Sequence, residues 1–259
     1  MPSKTGKTPA SYYKSDVSVE QSTNTGWDST TRSIISGDGA KSSMSASDDV
    51  LQVQPQNDDS VGSLLCKNSG GSNILAVDTT NSLVKVGAGQ VSATTLFKEM
   101  GLYDFSPTAG YHYPLIANTM HFESAYAGDN DWGNGADPTT SLDVSGLTAQ
   151  ENAVAVYWYL ENNITLDSVR YMATADGSAT LNFHLFAYTL DTSSNHGDLS
   201  AGVVHANGTV AATATTIKTG TFTLDTADID AAKVVVGFVE NVTDTSDVSV
   251  SFNIKYHIR

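Results

Sequence analysis

Only one cysteine, Cys66, occurs among the 259 residues, so no disulfide can form within the chain, and stability must come from packing or from association with other chains. Basic residues are also scarce. Thirteen Lys and Arg stand against 28 Asp and Glu, giving a formal charge of −15, and the thirteen are scattered along the chain. Neutralising phosphates takes clustered cations, so nucleic acid is excluded as a partner and anionic membranes are disfavoured. No run of eighteen apolar residues is present, which argues against membrane insertion, and the first thirty residues carry no apolar signal-peptide core. The expectation is a protein made in a cytoplasm and delivered without secretion. Charged residues reach only 16%, with Ser, Thr, Gly, Asn and Ala abundant, a texture of extended chain that disfavours helical bundles. The expected fold class is all-β.

The composition changes along the chain, and four segments are expected. Residues 1–48 are rich in Ser, Thr, Gly and Lys and cannot build a core alone, so they read as an extended arm. Lys4, Lys7 and Lys14 precede the first acid, Asp16, which makes this arm locally basic and suited to docking on an acidic surface. Tyr12, Tyr13 and Trp27 are the side chains expected to be buried there. Residues 49–91 carry short apolar runs at Val50–Val53, Val61–Cys66, Ile74–Val77 and Leu83–Val86, separated by turn residues, and read as a short β stalk. Such a narrow stack buries little surface per chain, so neighbouring copies are needed to close its core.

Residues 92–101 carry helical spacing, with Ser92 as cap, Leu96, Phe97 and Met100 on one side and Gly101 as stop, and read as a helical connector. Residues 102–259 hold the main core. Val248, Val250, Phe252, Ile254 and Tyr256 alternate with polar partners, the pattern of a strand with one buried face. Leu181–Tyr188 also alternates, while Lys233–Val239 is a continuous apolar run suited to a central strand. Ala153–Leu160, Ile164–Ala173, Val210–Ile217 and Thr219–Leu224 complete a set of at least seven strands, the signature of an antiparallel β-sandwich of jelly-roll type.

No spacing delivers a nucleophile with a positioned base, so the chain reads as no enzyme and no catalytic residue is assigned. The six histidines, His112, His121, His184, His196, His205 and His257, are dispersed, and no pair has the i, i+4 spacing of a helical zinc site. One loop, Asp129–Asp137, offers oxygen ligands at alternate positions. Asp129, Asp131 and Asp137 are candidate calcium ligands, although Thr140 stands where an EF-hand places Glu, and a solvated turn competes. Otherwise no cofactor is expected. Trp132, with Tyr126 nearby, is a candidate stacking platform for sugar or else a core residue.

Ser72–Gly87, reading Leu75-Ala76-Val77-Asp78-Thr79, a turn, then Val84-Lys85-Val86-Gly87, resembles the repeated stalk segments of bacteriophage fibre proteins. Around Tyr111–Leu115, Asn182–Leu185 and Lys255–Ile258 the chain is similar to β-rich structural proteins of marine phages. The resemblance implies a virion-surface fibre or decoration protein. It also implies a homotrimer, attached to other virion proteins through its amino-terminal arm and presenting a β-sandwich head that contacts a host-surface glycan or caps the fibre. A tail fibre, a capsid decoration or head fibre, and a carbohydrate-binding module are the readings left open.

Overall fold

The computed structural model describes residues 17–19, 28–36, 40–55, 61–87, 89, 91–118, 132–144, 151–193, 195, 197–214, 216–243 and 245–259. Lys4, Lys7, Tyr12, Tyr13, Lys14 and Trp27, the expected anchoring residues, lie outside these, as do Tyr126, Asp129 and Asp131. The chain divides into two units, Met1–Ala93 and Thr94–Arg259.

In the amino-terminal unit, β1 (Val17–Val19), β2 (Arg32–Ser36), β3 (Lys41–Ala46) and β4 (Leu51–Val53) form one antiparallel sheet in chain order. The extended arm expected over residues 1–48 is thus corrected where it is described. Asp28 accepts two hydrogen bonds from the Arg32 guanidinium, at 2.6 and 2.7 Å, at the entrance to β2. Beyond it β2 and β3 pair as a hairpin, and β4, assigned from sequence to the stalk, closes against β3. Ser-rich strands have weak intrinsic propensity, and the ladder supplies what propensity does not.

A second antiparallel sheet runs β5 (Leu64–Lys67), β6 (Asn73–Asp78), β7 (Leu83–Val86), β8 (Val91–Ser92), as the apolar runs predict. Directly paired residues share a face, so the register places Leu64, Val77 and Val84 in one row and Cys66, Leu75, Val86 and Val91 in the next on the same side. That face is apolar and open: Leu64 is 41% exposed, Val84 and Val86 42% each.

On the opposite face the fully buried Asp78 carboxylate accepts hydrogen bonds from Lys85 Nζ at 2.6 Å and from the backbone and side chain of Asn81, fixing the turn between β6 and β7. The Lys85 ammonium, with Asn81, holds this carboxyl down to about 2. A carboxyl depressed in the native state contributes stability above its unfolded value near 4, and that contribution is lost as pH falls from there towards 2. Lys85→Met is therefore expected to lower the melting temperature of this unit at pH 7 and to flatten its decline between pH 4 and 2. Circular dichroism melts across that range check it; superimposable profiles would show the pair to be without consequence.

The carboxy-terminal unit begins with β9 (Thr95–Phe105) and β10 (His112–Pro114) and continues through α1 (Glu151–Val156), β11 (Trp158–Tyr159), β12 (Ile164–Ala175) and β13 (Ala179–Leu190). β14 (Leu199–Ala212), β15 (Lys218–Thr221), β16 (Thr223–Leu224), β17 (Asp228–Ile229), β18 (Lys233–Asn241) and β19 (Val248–Ile258) complete it. One sheet runs β15-β12-β19-β9 with β17 also on β12; the other runs β10-β18-β13-β14-β16 with β11 on β18. In each sheet the late strand, β19 or β18, sits between the earliest strand and a middle one. That interleaving is the jelly-roll order, and the ladders that build both sheets are antiparallel.

Between the sheets lie Leu181, Phe183 and Leu185 of β13, Val235 and Val239 of β18, and Val248, Val250, Phe252 and Ile254 of β19. The strict alternation of β19 is thus one buried face over one wetter face. β13 and β18 differ, because their other faces are covered too. Phe186 and Tyr188, with Val234, Val236 and Phe238, pack under Trp132, Leu142, Val144, Ala153 and Val156. Burial on both sides accounts for the unbroken apolar run of β18.

Two expectations fail here. Residues 92–101 are no helical connector: Thr95–Phe105 is a sheet-edge strand laid along Val248–His257, and pairing overrides the helical spacing of Leu96, Phe97 and Met100. Tyr103 and Asp104 together oppose Ser249 in a bulge, with Asp104 at φ 50°, and the extra residue turns both Leu102 and Phe105 inward. Ala153–Leu160, expected as a strand, opens with the helix α1 and only then adds β11. Ala153 and Val156 sit three apart on its covered side, a spacing that an alternating reading cannot distinguish over so short a run.

Candidate metal centre

The covered face of the second sheet ends in polar residues. His112 of β10 pairs directly with Glu240 of β18, which on its other side faces Asn182 of β13. His184, two residues along β13 from Asn182, projects from the same face one row further on. All three of His112, His184 and Glu240 are buried, and one potential ligand atom from each lies within 4.8 Å of the others.

Hydrogen bonding fixes much of this geometry. The Nδ1 of His112 lies 3.2 Å from the Gly133 carbonyl oxygen, which can only accept, so Nδ1 carries the proton and the Nε2 lone pair is free. That Nε2 is 3.8 Å from Glu240 Oε2 and has no hydrogen-bond partner. Glu240 Oε2 accepts from Asn182 Nδ2 at 2.8 Å, and Asn182 Oδ1 in turn accepts from the Thr209 hydroxyl. Both ring nitrogens of His184 are buried without a hydrogen-bond partner. Its Nδ1 stands 3.5 Å from Asp137 Oδ1, on the loop that covers this face, and the two imidazoles meet edge to face at 5.1 Å. Burial lowers the pKa of both histidines, that of His184 to about 4 with His112 adding to the shift, so both are neutral at pH 7.

The covering loop is held by its own bonds. Gly133, at φ 95°, lets the chain double back so that Thr139 N–H donates to the Trp132 carbonyl, and the Tyr188 hydroxyl donates to the Thr139 carbonyl. Trp132 is 0% exposed, its ring 5.1 Å from that of Phe238. The sugar-platform expectation for Trp132 is therefore corrected in favour of its core alternative: its faces are used in packing. Of the calcium-loop expectation, only Asp137 is described, and it stands beside an imidazole.

Sequence reading missed this cluster because its members lie 56 to 128 residues apart in the chain. One signal was present. His184 alternates in phase with Phe186 and Tyr188, so the face it occupies could not be a solvent face.

Elsewhere on this unit an open groove of about 420 Å³ runs along β9, lined by Glu99–Tyr103, Ile116–Asn118, Val250 and Ser251. Tyr103 at its side is 87% exposed. Among the described residues no helix is long and apolar enough to cross a membrane.

No protein-family model matches the chain. No curated protein matches it either. Among solved structures, a chain from the structure of infectious bursal disease virus Gx strain is similar at 8% identity and a TM-score of 0.26. The similarity covers 67% of this chain and 34% of that one, so the chain spans about a third of that protein's length.

Proposed function

We propose that this chain is a non-enzymatic structural protein of a bacteriophage particle. In this reading it is a short trimeric fibre, attached through its amino-terminal residues and presenting the jelly roll outward, where it contacts the host surface. The carrying observation is the β5–β8 sheet. It turns seven apolar or sulfur-bearing side chains to one side with several of them open to water, and exposed contiguous apolar surface marks an association site.

A second copy of the same chain is the occupant that fits. The face carries no charge, its strands are only two to six residues long, and three such faces turned inward would close a core that one chain cannot. The jelly-roll architecture of the carboxy-terminal unit adds support by analogy, because viral capsid and lectin domains use it, although a fold does not fix a function.

Antibody raised against Thr94–Arg259 is expected to label the surface of intact purified particles, with the chain present in multiples of three. Its absence from purified particles would remove the virion role.

A further inference from the structure

We propose that His112, His184 and Glu240, with Asp137 as the fourth ligand, form a binding site for a divalent transition metal of the zinc class that fastens the 132–144 loop to the jelly roll. Two imidazoles and carboxylate oxygens are the donor set that borderline divalent ions take, whereas calcium and magnesium take all-oxygen shells. This inference is independent of the assembly proposed above.

The present geometry is one a cation would complete. In a tetrahedral zinc site with ligands about 2.0–2.1 Å from the metal, neighbouring donor atoms stand roughly 3.3 Å apart. His112 Nε2 to Glu240 Oε2 is 3.8 Å and His184 Nδ1 to Asp137 Oδ1 is 3.5 Å, so within each pair the contraction is small, while the donors of His112, His184 and Glu240 close from separations of up to 4.8 Å. With the His112 proton committed to the Gly133 carbonyl, Nε2 and the carboxylate meet as two acceptors, an arrangement that a metal ion turns from repulsion into coordination. The outer partners match as well. Metal-bound histidine commonly donates its second nitrogen to a backbone carbonyl, and ligating carboxylates are themselves hydrogen-bonded, as Glu240 is by Asn182. Three buried imidazole nitrogens, His112 Nε2 and both of His184, are otherwise left without a partner among the described residues.

Because the ligands come from β10, β13, β18 and the covering loop, the ion would add one shared tie to elements already joined by backbone pairing, apolar packing and single side-chain hydrogen bonds, such as Asn182 to Glu240 and Tyr188 to Thr139.

The full chain, stripped with chelator, is titrated with Zn²⁺ by calorimetry and with Co²⁺ by visible absorption. The expected result is one Zn²⁺ per chain, and Co²⁺ d–d bands of a low-coordinate nitrogen-ligated site that Zn²⁺ abolishes. His184→Gln and Glu240→Gln should weaken Zn²⁺ binding by at least about tenfold, while His257→Gln, whose imidazole pairs with Asp167 outside the cluster, should not. Failure of the wild-type chain to bind Zn²⁺ stoichiometrically overturns the site, as does binding unchanged in both cluster variants. Should a variant fail to fold, the wild-type Co²⁺ spectrum decides: the bands uphold the site and their absence overturns it.

Discussion

Phe183→Ala is expected to destabilise the carboxy-terminal unit by about 3–5 kcal/mol, the range for emptying a fully packed phenylalanine site. Phe183 is fully buried at the centre of the space between the sheets. Its ring meets Tyr171 at 4.9 Å, Phe252 at 5.5 Å and Phe222 at 5.8 Å, and Phe222 and Phe252 meet each other at 4.7 Å. These four rings come from both sheets and from the crossing between β15 and β16, where the Phe222 N–H donates to the Val169 carbonyl. The surrounding backbone is committed to two ladders on β13, so it cannot collapse into the void. The melting temperature of this unit should fall by roughly 10 °C on the scaling for domains of this size. A loss under 1 kcal/mol in urea unfolding would mean that the aromatic cluster is not where the unit is held.

Val84→Asp combined with Val86→Asp is expected to abolish association of the chain at micromolar concentration. Both side chains lie on the open apolar face of β7, and closing that face against other copies would bury two carboxylates per chain with no cation opposite. An unpaired buried charge carries a penalty of several kcal/mol, repeated in every copy, which exceeds what the valines contribute. Ile74→Asp, one residue off that register on the other side of β6, is the control that leaves association intact. Light scattering reads the mass of each variant, and near-ultraviolet circular dichroism checks that the jelly roll is unaltered. Equal masses for both variants would move the contact elsewhere.

How much of this was legible depends on how local each cause is. The β19 alternation and the β18 apolar run announce themselves because one or two buried faces impose a period on consecutive residues. The jelly-roll order is not readable in the sequence, since it lies in which strands pair, and β9 carries helical spacing although it is a strand, because its strand character comes from β19, some 150 residues away. The β2–β3 hairpin is hidden for a related reason: serine-rich strands look like linker until a partner is beside them. The metal-type cluster was invisible as a spacing. His112, His184 and Glu240 become neighbours only through the β10–β18–β13 register, and they show in sequence solely as polar residues in phase with buried aromatics.

Sedimentation equilibrium of the full wild-type chain bears most directly on assembly through the β5–β8 face. A mass three times that of the 27.3 kDa chain, persisting on dilution to the low micromolar range, is the predicted result. A 27.3 kDa monomer at every concentration examined would contradict it.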